Sequence, residues 1–346
     1  MHDAGKVMNR QTGATGDSAD TPATPVEISV VIPCLNEEAN VLGIYTAVRF
    51  ELEKAAESFE ILFIDNNSTD RTVEILRSLC AADKRVRAIF NNRDYGQMRS
   101  PTYGIYQASG RAVIGMCADF QDSPDLIPTF IARWRAGAKI VLAIRQSDES
   151  PFVVRVARNA CYAFVHRFAD YPVIPGATGF GLYDRAVVET IATWREPEPF
   201  FRGMLVESGF PLETIPYVRP PRAGGESNNT VATSIDFVLS GLAGSSKRLL
   251  RLPIYFGVLS SVGAMGLFVG AFVTTGPDMW GWLLTGFLTL NLAALLVFLG
   301  LLGEQVRAIA ERTRNAPLVI EKERVNFSVP PSRRAAIGLG QRVAEP

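Results

Sequence analysis

Three short polar clusters each follow an apolar run, and their side chains could handle a charged ligand. Asn36-Glu37-Glu38 comes after the run at 28–33, Asp65-Asn66-Asn67 after 60–64, and Asp119 with Gln121 and Asp122 after 112–116. No GxGxxG follows the first run and no GxxxxGK[ST] occurs, so neither a dinucleotide fingerprint nor a P-loop is present. Carboxylates without a glycine-rich cradle suit a different way of holding phosphates, through a divalent cation bridging carboxylate and diphosphate. Asp119 and Gln121 are two apart. In an extended backbone both would point to the same side and could offer oxygen to one metal.

The elements that must position these groups alternate. Residues 28–33, 60–64, 86–90 and 112–116 read as strands, and helical stretches are expected from Asn36 through Ala56, from Arg71 to Ala82 and from Gly96 to Ser109. Strand and helix in turn predict a mostly parallel α/β sheet covered on both faces. In such sheets ligands gather at the carboxyl ends of the strands, where all three polar clusters fall.

The 346 residues allow about two units. Lys+Arg and Asp+Glu are both 35, which argues against a nucleic-acid partner held by net positive charge. A hydrophobic fraction of 47% excludes a disordered chain and exceeds what a purely soluble enzyme needs. The excess lies near the C-terminus, in uncharged runs at 253–275 and 280–302, each long enough to cross a bilayer. Gly276-Pro277-Asp278-Met279 is a turn between them. Lys247, Arg248 and Arg251 precede the first run and Arg307, Arg312 and Arg314 follow the second, which puts both ends in the cytoplasm. The expected organisation is a tail at 1–26, a catalytic domain at 27–229, a juxtamembrane amphipathic segment at 230–252, two spans within 253–302, and a cytoplasmic helix, short strand (Leu318-Val319-Ile320) and tail at 303–346. The localisation expected is the inner (plasma) membrane, multi-pass, and packing through the hairpin is compatible with a homo-oligomer. Cys34, Cys80, Cys117 and Cys161 lack the spacing of a zinc site or a disulfide framework and read as reduced thiols.

In order along the chain, VVIPCLNEEANV (30–41), ILFIDNNSTDRT (61–72), CADFQDSPDLIP (117–128), FFRGMLVESGF (200–210) and IPYVRPPRAGGESNN (215–229) resemble the family 2 glycosyltransferases. The resemblance is to the branch that charges polyprenyl phosphates, and the C-terminal runs match its membrane-anchored bacterial members. It implies a GT-A (Rossmann-like) fold with a C-terminal transmembrane helical hairpin. It also implies transfer of a sugar from a nucleotide-sugar, UDP-hexose by default, to a polyprenyl phosphate with Mg2+ or Mn2+. Carried onto this sequence, Asp65 and Asn67 belong to a turn that contacts the nucleotide, with Pro33, Asn36 and Glu37 across from it. Asp119 and Gln121 become metal and diphosphate ligands. Arg202, Arg219 and Arg222 become phosphate-facing groups, and Ser227 joins the acceptor side.

The sequence departs from that pattern in places. Cys117 stands for the first acid of the DAD-like motif, Asn66 for the second acid of the turn, Asn67 for its glycine, and Asn228 for the lysine after the serine. Cysteine is a soft ligand that does not replace carboxylate for magnesium. A catalytically lapsed sugar-lipid-binding or scaffold protein is the alternative that Cys117 favours. In the enzymatic reading a lipid phosphate is already anionic near neutral pH and attacks the anomeric carbon directly. A single displacement then inverts that carbon. Asp122 orients the acceptor or stabilises positive charge on the sugar, and Arg202 offsets charge on phosphate.

Overall fold

The computed structural model describes residues 25–146, 174–218, 220, 252–273 and 277–327. Its first half follows the expected alternation: β1 (Ile28–Cys34), α1 (Val41–Ala55), β2 (Phe59–Asp65), α2 (Thr72–Ala82), β3 (Val86–Asn91), α3 (Gly96–Gln107) and β4 (Ala112–Gly115). A short 3-10 turn, Pro124–Leu126, leads into α4 (Ile127–Arg135) and β5 (Ile140–Arg145). Beyond it come β6 (Ala177–Asp184), α5 (Arg185–Ala192), α6 (Phe201–Glu207) and β7 (Leu212–Tyr217). Two long helices follow, α7 (Leu252–Val273) and α8 (Pro277–Thr313), and then β8 (Glu321–Val325).

The eight strands among the described residues join one sheet in the order β7-β5-β6-β4-β1-β2-β3-β8. The pairs around β1 are parallel: β4-β1, β1-β2 and β2-β3. The antiparallel pairs involve β6, against β4 and β5, and β8, against β3. Alternation along β1 shows why the sheet needs cover on both faces. Val30 and Ile32 pack with Ile44 and Val48 of α1, Leu76 of α2 and Phe130 of α4. Val31 lies in the opposite cluster, with Tyr103 and Ile105 of α3, Val187 and Ile191 of α5, and Leu205 of α6. These side chains are all but inaccessible to water. Each contributes roughly 1.5–3 kcal/mol of burial free energy, before the entropy of ordering is subtracted.

Four local expectations need correction. The helix expected from Asn36 begins at Val41, because Asn36 adopts φ 55 and residues 36–38 bond to the next loop. Three of the four expected turn residues, Pro277, Asp278 and Met279, form the first turn of α8, where proline's missing N–H is harmless. The separate helix expected after 302 is the continuation of α8, since residues 303–313 contain no proline or cap to stop propagation. The final strand is the polar Glu321–Val325. Leu318-Val319-Ile320 precedes it, and Val319 is buried against the α3 face.

Helices α7 and α8 touch as an antiparallel pair. The Phe256 and Phe298 rings meet edge to face at 5.9 Å, and a Cβ on Gly263 would lie 3.3 Å from Phe287. Their outward faces carry exposed Leu259, Val262, Leu295 and Leu299. Among the described residues, one helix is long and apolar enough to cross a membrane, Leu283–Thr313 within α8. At its far end Arg312 pairs with Glu196 at 2.8 Å and Arg307 with Glu198 at 3.6 Å. Arg219, Arg222, Ser227 and the segment 230–251 lie outside the described residues, as do 1–24 and 328–346.

Candidate active site

Parallel pairing brings the carboxyl ends of three strands to one edge. Cys34 at the end of β1 is in register with Asp65 at the end of β2, and Met116, just past β4, donates its N–H to Val31 O at 3.1 Å. The loops after β1 and β2 are laced together. Asn36 N–H donates to Ser68 Oγ (2.9 Å), Thr69 N–H to Asn36 Oδ1 (2.8 Å) and Glu37 N–H to Thr72 Oγ1 (2.9 Å). Asp70 takes the N–H groups of Glu38 (3.1 Å) and Thr72 (2.9 Å), so it ties the start of α2 to the loop after β1. Burial pushes its carboxyl up, but the bonds from Thr72 and Glu38 outweigh that and hold it below the usual range.

Asp65 is the acid at the centre of this edge. One oxygen, Oδ2, accepts the N–H groups of Asn67 and Ser68, both at 3.1 Å, and Asn67 takes the left-handed φ of 69. The other oxygen, Oδ1, is buried and has no hydrogen-bond partner among the described residues. Burial raises the Asp65 pKa despite the turn's hydrogen bonds. The neighbouring Cys34 thiol is pushed well up by its own burial, then by the charges of Asp65, Glu37 and Asp70. That shared influence marks the three acids as one cluster. Glu37 also accepts from Asn40 Nδ2 at 2.7 Å, and Pro33 sits half-buried in register with Ile64.

The third cluster is bent, not extended as the sequence argument assumed. Phe120 adopts φ 59, a backbone state that a bulky residue holds only when its surroundings fix it. Its ring packs on α1, where a Cβ on Gly43 would lie 3.2 Å from it. The bend lets Gln121 N–H donate to Asp119 Oδ1 at 3.2 Å. Asp122 is 2% exposed; its Oδ2 accepts Cys117 N–H at 2.8 Å and its Oδ1 faces the Tyr217 hydroxyl at 3.4 Å. In this structure Asp122 therefore closes the loop that carries Asp119.

Arg202, on α6, reaches the same region. Its Nη1 donates to Ala177 O at 2.6 Å and its guanidinium lies 5.4 Å from the Phe200 ring centre. Tyr183 lies between the two parts on β6, its hydroxyl donating to Gly179 O of the same strand. Burial raises the Tyr183 pKa, Asp122 and Cys117 push it further, and Arg202 opposes them, so all three charges act on one hydroxyl. Tyr183 and Tyr217 were not singled out from the sequence; they sit in ordinary strand patterns that carry no signal of their own.

A divalent cation can be tested against these donors. No group of three His, Cys, Asp or Glu side chains among the described residues could hold a metal alone. Asp119 and Gln121 carry hard oxygen donors two residues apart on one bend, where Asp119 Oδ1 already accepts the Gln121 N–H, and Cys117 on the same loop is exposed. That set fits a hard cation whose remaining ligands come from a bound diphosphate. It does not fit a resident metal closed by protein alone.

Comparisons with known proteins give the family. The profile of Glycosyl transferase family 2 matches residues 29–191. Over 305 residues the chain is 30% identical to the SfII prophage-derived bactoprenol glucosyl transferase of Shigella flexneri, covering 86% of this chain and 98% of that protein. It is 29% identical over 302 residues to the glycosyltransferase YkcC of Bacillus subtilis (strain 168), covering 85% and 93% respectively. A mannosyltransferase from Pyrobaculum calidifontis, solved with GDP-Man and Mn2+, is 17% identical with a TM-score of 0.41, over 87% of this chain and 90% of that one. With a strand-end acid cluster on a mostly parallel sheet and near full-length identity at this level, the chain belongs to glycosyltransferase family 2.

Proposed function

We propose that this chain transfers a sugar from a nucleotide-sugar, UDP-hexose by default, to the phosphate of a polyprenyl phosphate, inverting the anomeric carbon at the cytoplasmic face of the membrane. The observation that carries the reading is the continuity of site and anchor. The sheet that bears Asp65 and Asp119 is completed by β8, and β8 follows the apolar helix α8. A lipid acceptor gives that continuity a purpose, because its phosphate stays at the surface while its chain stays in the bilayer. The bactoprenol glucosyl transferases that the chain is similar to bear that substrate class in their name.

Two crossings belong to the same proposal. β7 lies in the sheet before the helices and β8 in it after them, so a chain that crosses once in α8 has to cross again in between. The segment proposed for it is α7, whose apolar run, Pro253–Leu267, is shorter than that of α8. Both ends of the hairpin then share the side of the catalytic domain, which the flanking arginines assign to the cytoplasm.

In this reading the Asp65 turn, with Asn67, binds the nucleotide, and Pro33, Asn36 and Glu37 frame the other side. Asp119 and Gln121 would hold Mg2+ or Mn2+, with the diphosphate supplying further oxygen ligands. When bound, that cation supplies positive charge to the leaving diphosphate. Arg202 offsets phosphate charge beside it, and Asp122 acts as a positioning residue through the Cys117 N–H. Arg219, Arg222 and Ser227 receive the acceptor phosphate. The phosphate oxygen forms the new bond to the anomeric carbon as the nucleoside diphosphate departs, with no protein base required.

The test uses full-length protein in detergent with a short polyprenyl phosphate, a panel of UDP- and GDP-sugars, and Mg2+ or Mn2+. Nucleoside diphosphate release and glycolipid are followed together. Turnover on one donor, abolished by chelation and in Asp119→Ala, is the expected result. Donor binding with no turnover on any lipid phosphate would refute it and favour the sugar-lipid-binding reading that Cys117 raises.

A further inference from the structure

The end of β2 is held from the side opposite Asp65 by a single buried amide. Asn66 is 6% exposed, and its backbone N–H donates to Cys34 O at 2.9 Å, tying β2 to β1. Its Oδ1 accepts two bonds at 3.0 Å, from Asn91 Nδ2 at the end of β3 and from Tyr95 N–H on the loop into α3. Its Nδ2 donates to Asp94 Oδ1, which also takes Gly96 N–H at 2.7 Å. Asn91 Nδ2 continues the network to Ser100 Oγ on α3 at 3.0 Å. The ends of β1, β2 and β3 and the start of α3 therefore converge on this residue.

The chemistry of that hub admits only an amide. Two of its bonds need an acceptor and one needs a donor, and a carboxylate has no donor to give. An acid at 66 would keep the bonds from Asn91 and Tyr95 but set its charge against Asp94. The turn of the family that this sequence resembles carries an acid there, and here the acid stands on the next loop instead. We propose that Asn66 and Asp94 form a matched amide–carboxylate pair that positions the donor-nucleotide turn, which makes Asp94 a positioning residue of the donor site. The departure at 66 is then a relocation of the acid, not a loss of function. This rests on the assignment of the Asp65 turn to the donor nucleotide.

Binding of UDP and GDP and the donor KM and kcat are measured on the full chain in detergent, for the native protein, Asn66→Asp, Asp94→Ala and Asn66→Asp/Asp94→Asn. Asn66→Asp is expected to raise the nucleotide Kd and donor KM about tenfold, with kcat within about threefold, a change of ~1.4 kcal/mol in binding. The double variant restores an amide and a carboxylate in reversed order and should return both values to within about threefold of native. Asp94→Ala changes an exposed side chain, so it reports even if Asn66→Asp does not fold, and should raise the Kd about fivefold. The pairing is overturned if Asp94→Ala binds within twofold of native, or if the double variant binds no better than Asn66→Asp. It is equally overturned if the double variant recovers thermal stability without recovering Kd, which is what a merely structural role would give. A native chain that binds neither nucleotide would refute the donor assignment itself, and this role with it.

Discussion

Replacing Gly43 with alanine sets two effects against each other. Gly43 lies in the first turn of α1, where alanine is the better helix former by something under ~1 kcal/mol. The added Cβ would stand 3.2 Å from Phe120 Cζ and 3.3 Å from Cε2. Carbon atoms settle at roughly 3.5–4.0 Å, so the ring must retreat by about half an ångström. Phe120 has little freedom to absorb this near its backbone, because its φ of 59 is already held by the bend between Asp119 and Gln121. The displacement therefore passes to the residues proposed to hold the diphosphate. An error of about 1 Å at a reacting centre can cost ~100-fold in rate, so half of that is worth about tenfold, or ~1.4 kcal/mol. Gly43→Ala should keep or slightly raise the thermal midpoint while donor kcat/KM falls about tenfold. Shortening the ring in Gly43→Ala/Phe120→Leu should recover most of the loss. A Gly43→Ala protein with unchanged kcat/KM would show that α1 does not set the geometry of this loop.

Cys117→Asp adds a hard carboxylate beside Asp119 and should lower the Mg2+ concentration for half-maximal turnover several-fold; an unchanged metal titration would remove Cys117 from any account of metal affinity. Asp65 has a raised pKa, so its contribution to stability is full below the unfolded value and is lost as pH rises through the folded one. Asp65→Asn should thus make the nucleotide-free chain more stable than native at pH 7 but not at pH 3.5, while weakening nucleotide binding at least about tenfold; denaturation at the two pH values decides. Arg324 bonds Tyr103 Oη and Gln107 Oε1, each at 3.0 Å, from β8 to α3. Arg324→Ala should cost roughly 1–3 kcal/mol, read as a lower thermal midpoint, and an unchanged midpoint would mean that these two bonds do not hold β8 in place.

The first four strands could be read from the sequence because runs such as Val30-Val31-Ile32 are buried on both faces and end at polar turns. The second half was harder. β6 contains Gly179 and Gly181, β7 contains Pro216 and charged Glu213, and β8 is Glu-Lys-Glu-Arg-Val, so none shows the pattern of a central strand. β8 can be polar because it is an edge strand whose charged side chains find partners in Arg77 and Tyr103. At the site, the strand-end positions of Asp65 and Asp119 followed from the logic of a parallel sheet. What Asn36, Asp94 and Asp122 do did not follow, because their bonds reach other loops or fold back within a bend whose shape depends on Phe120.

The return of β8 to β3 also sets an order of events during synthesis. Arg77 and its partner Glu323 are 246 residues apart, and both long helices lie between them. A ribosome has therefore delivered the whole apolar hairpin before the strand that covers the open edge of β3 exists. Until then the nascent sheet is one strand short, with unpaired backbone groups along β3. Completion of the sheet is coupled to completion of α7 and α8, so a chain cut short before residue 321 carries an incomplete sheet, whatever has become of its helices.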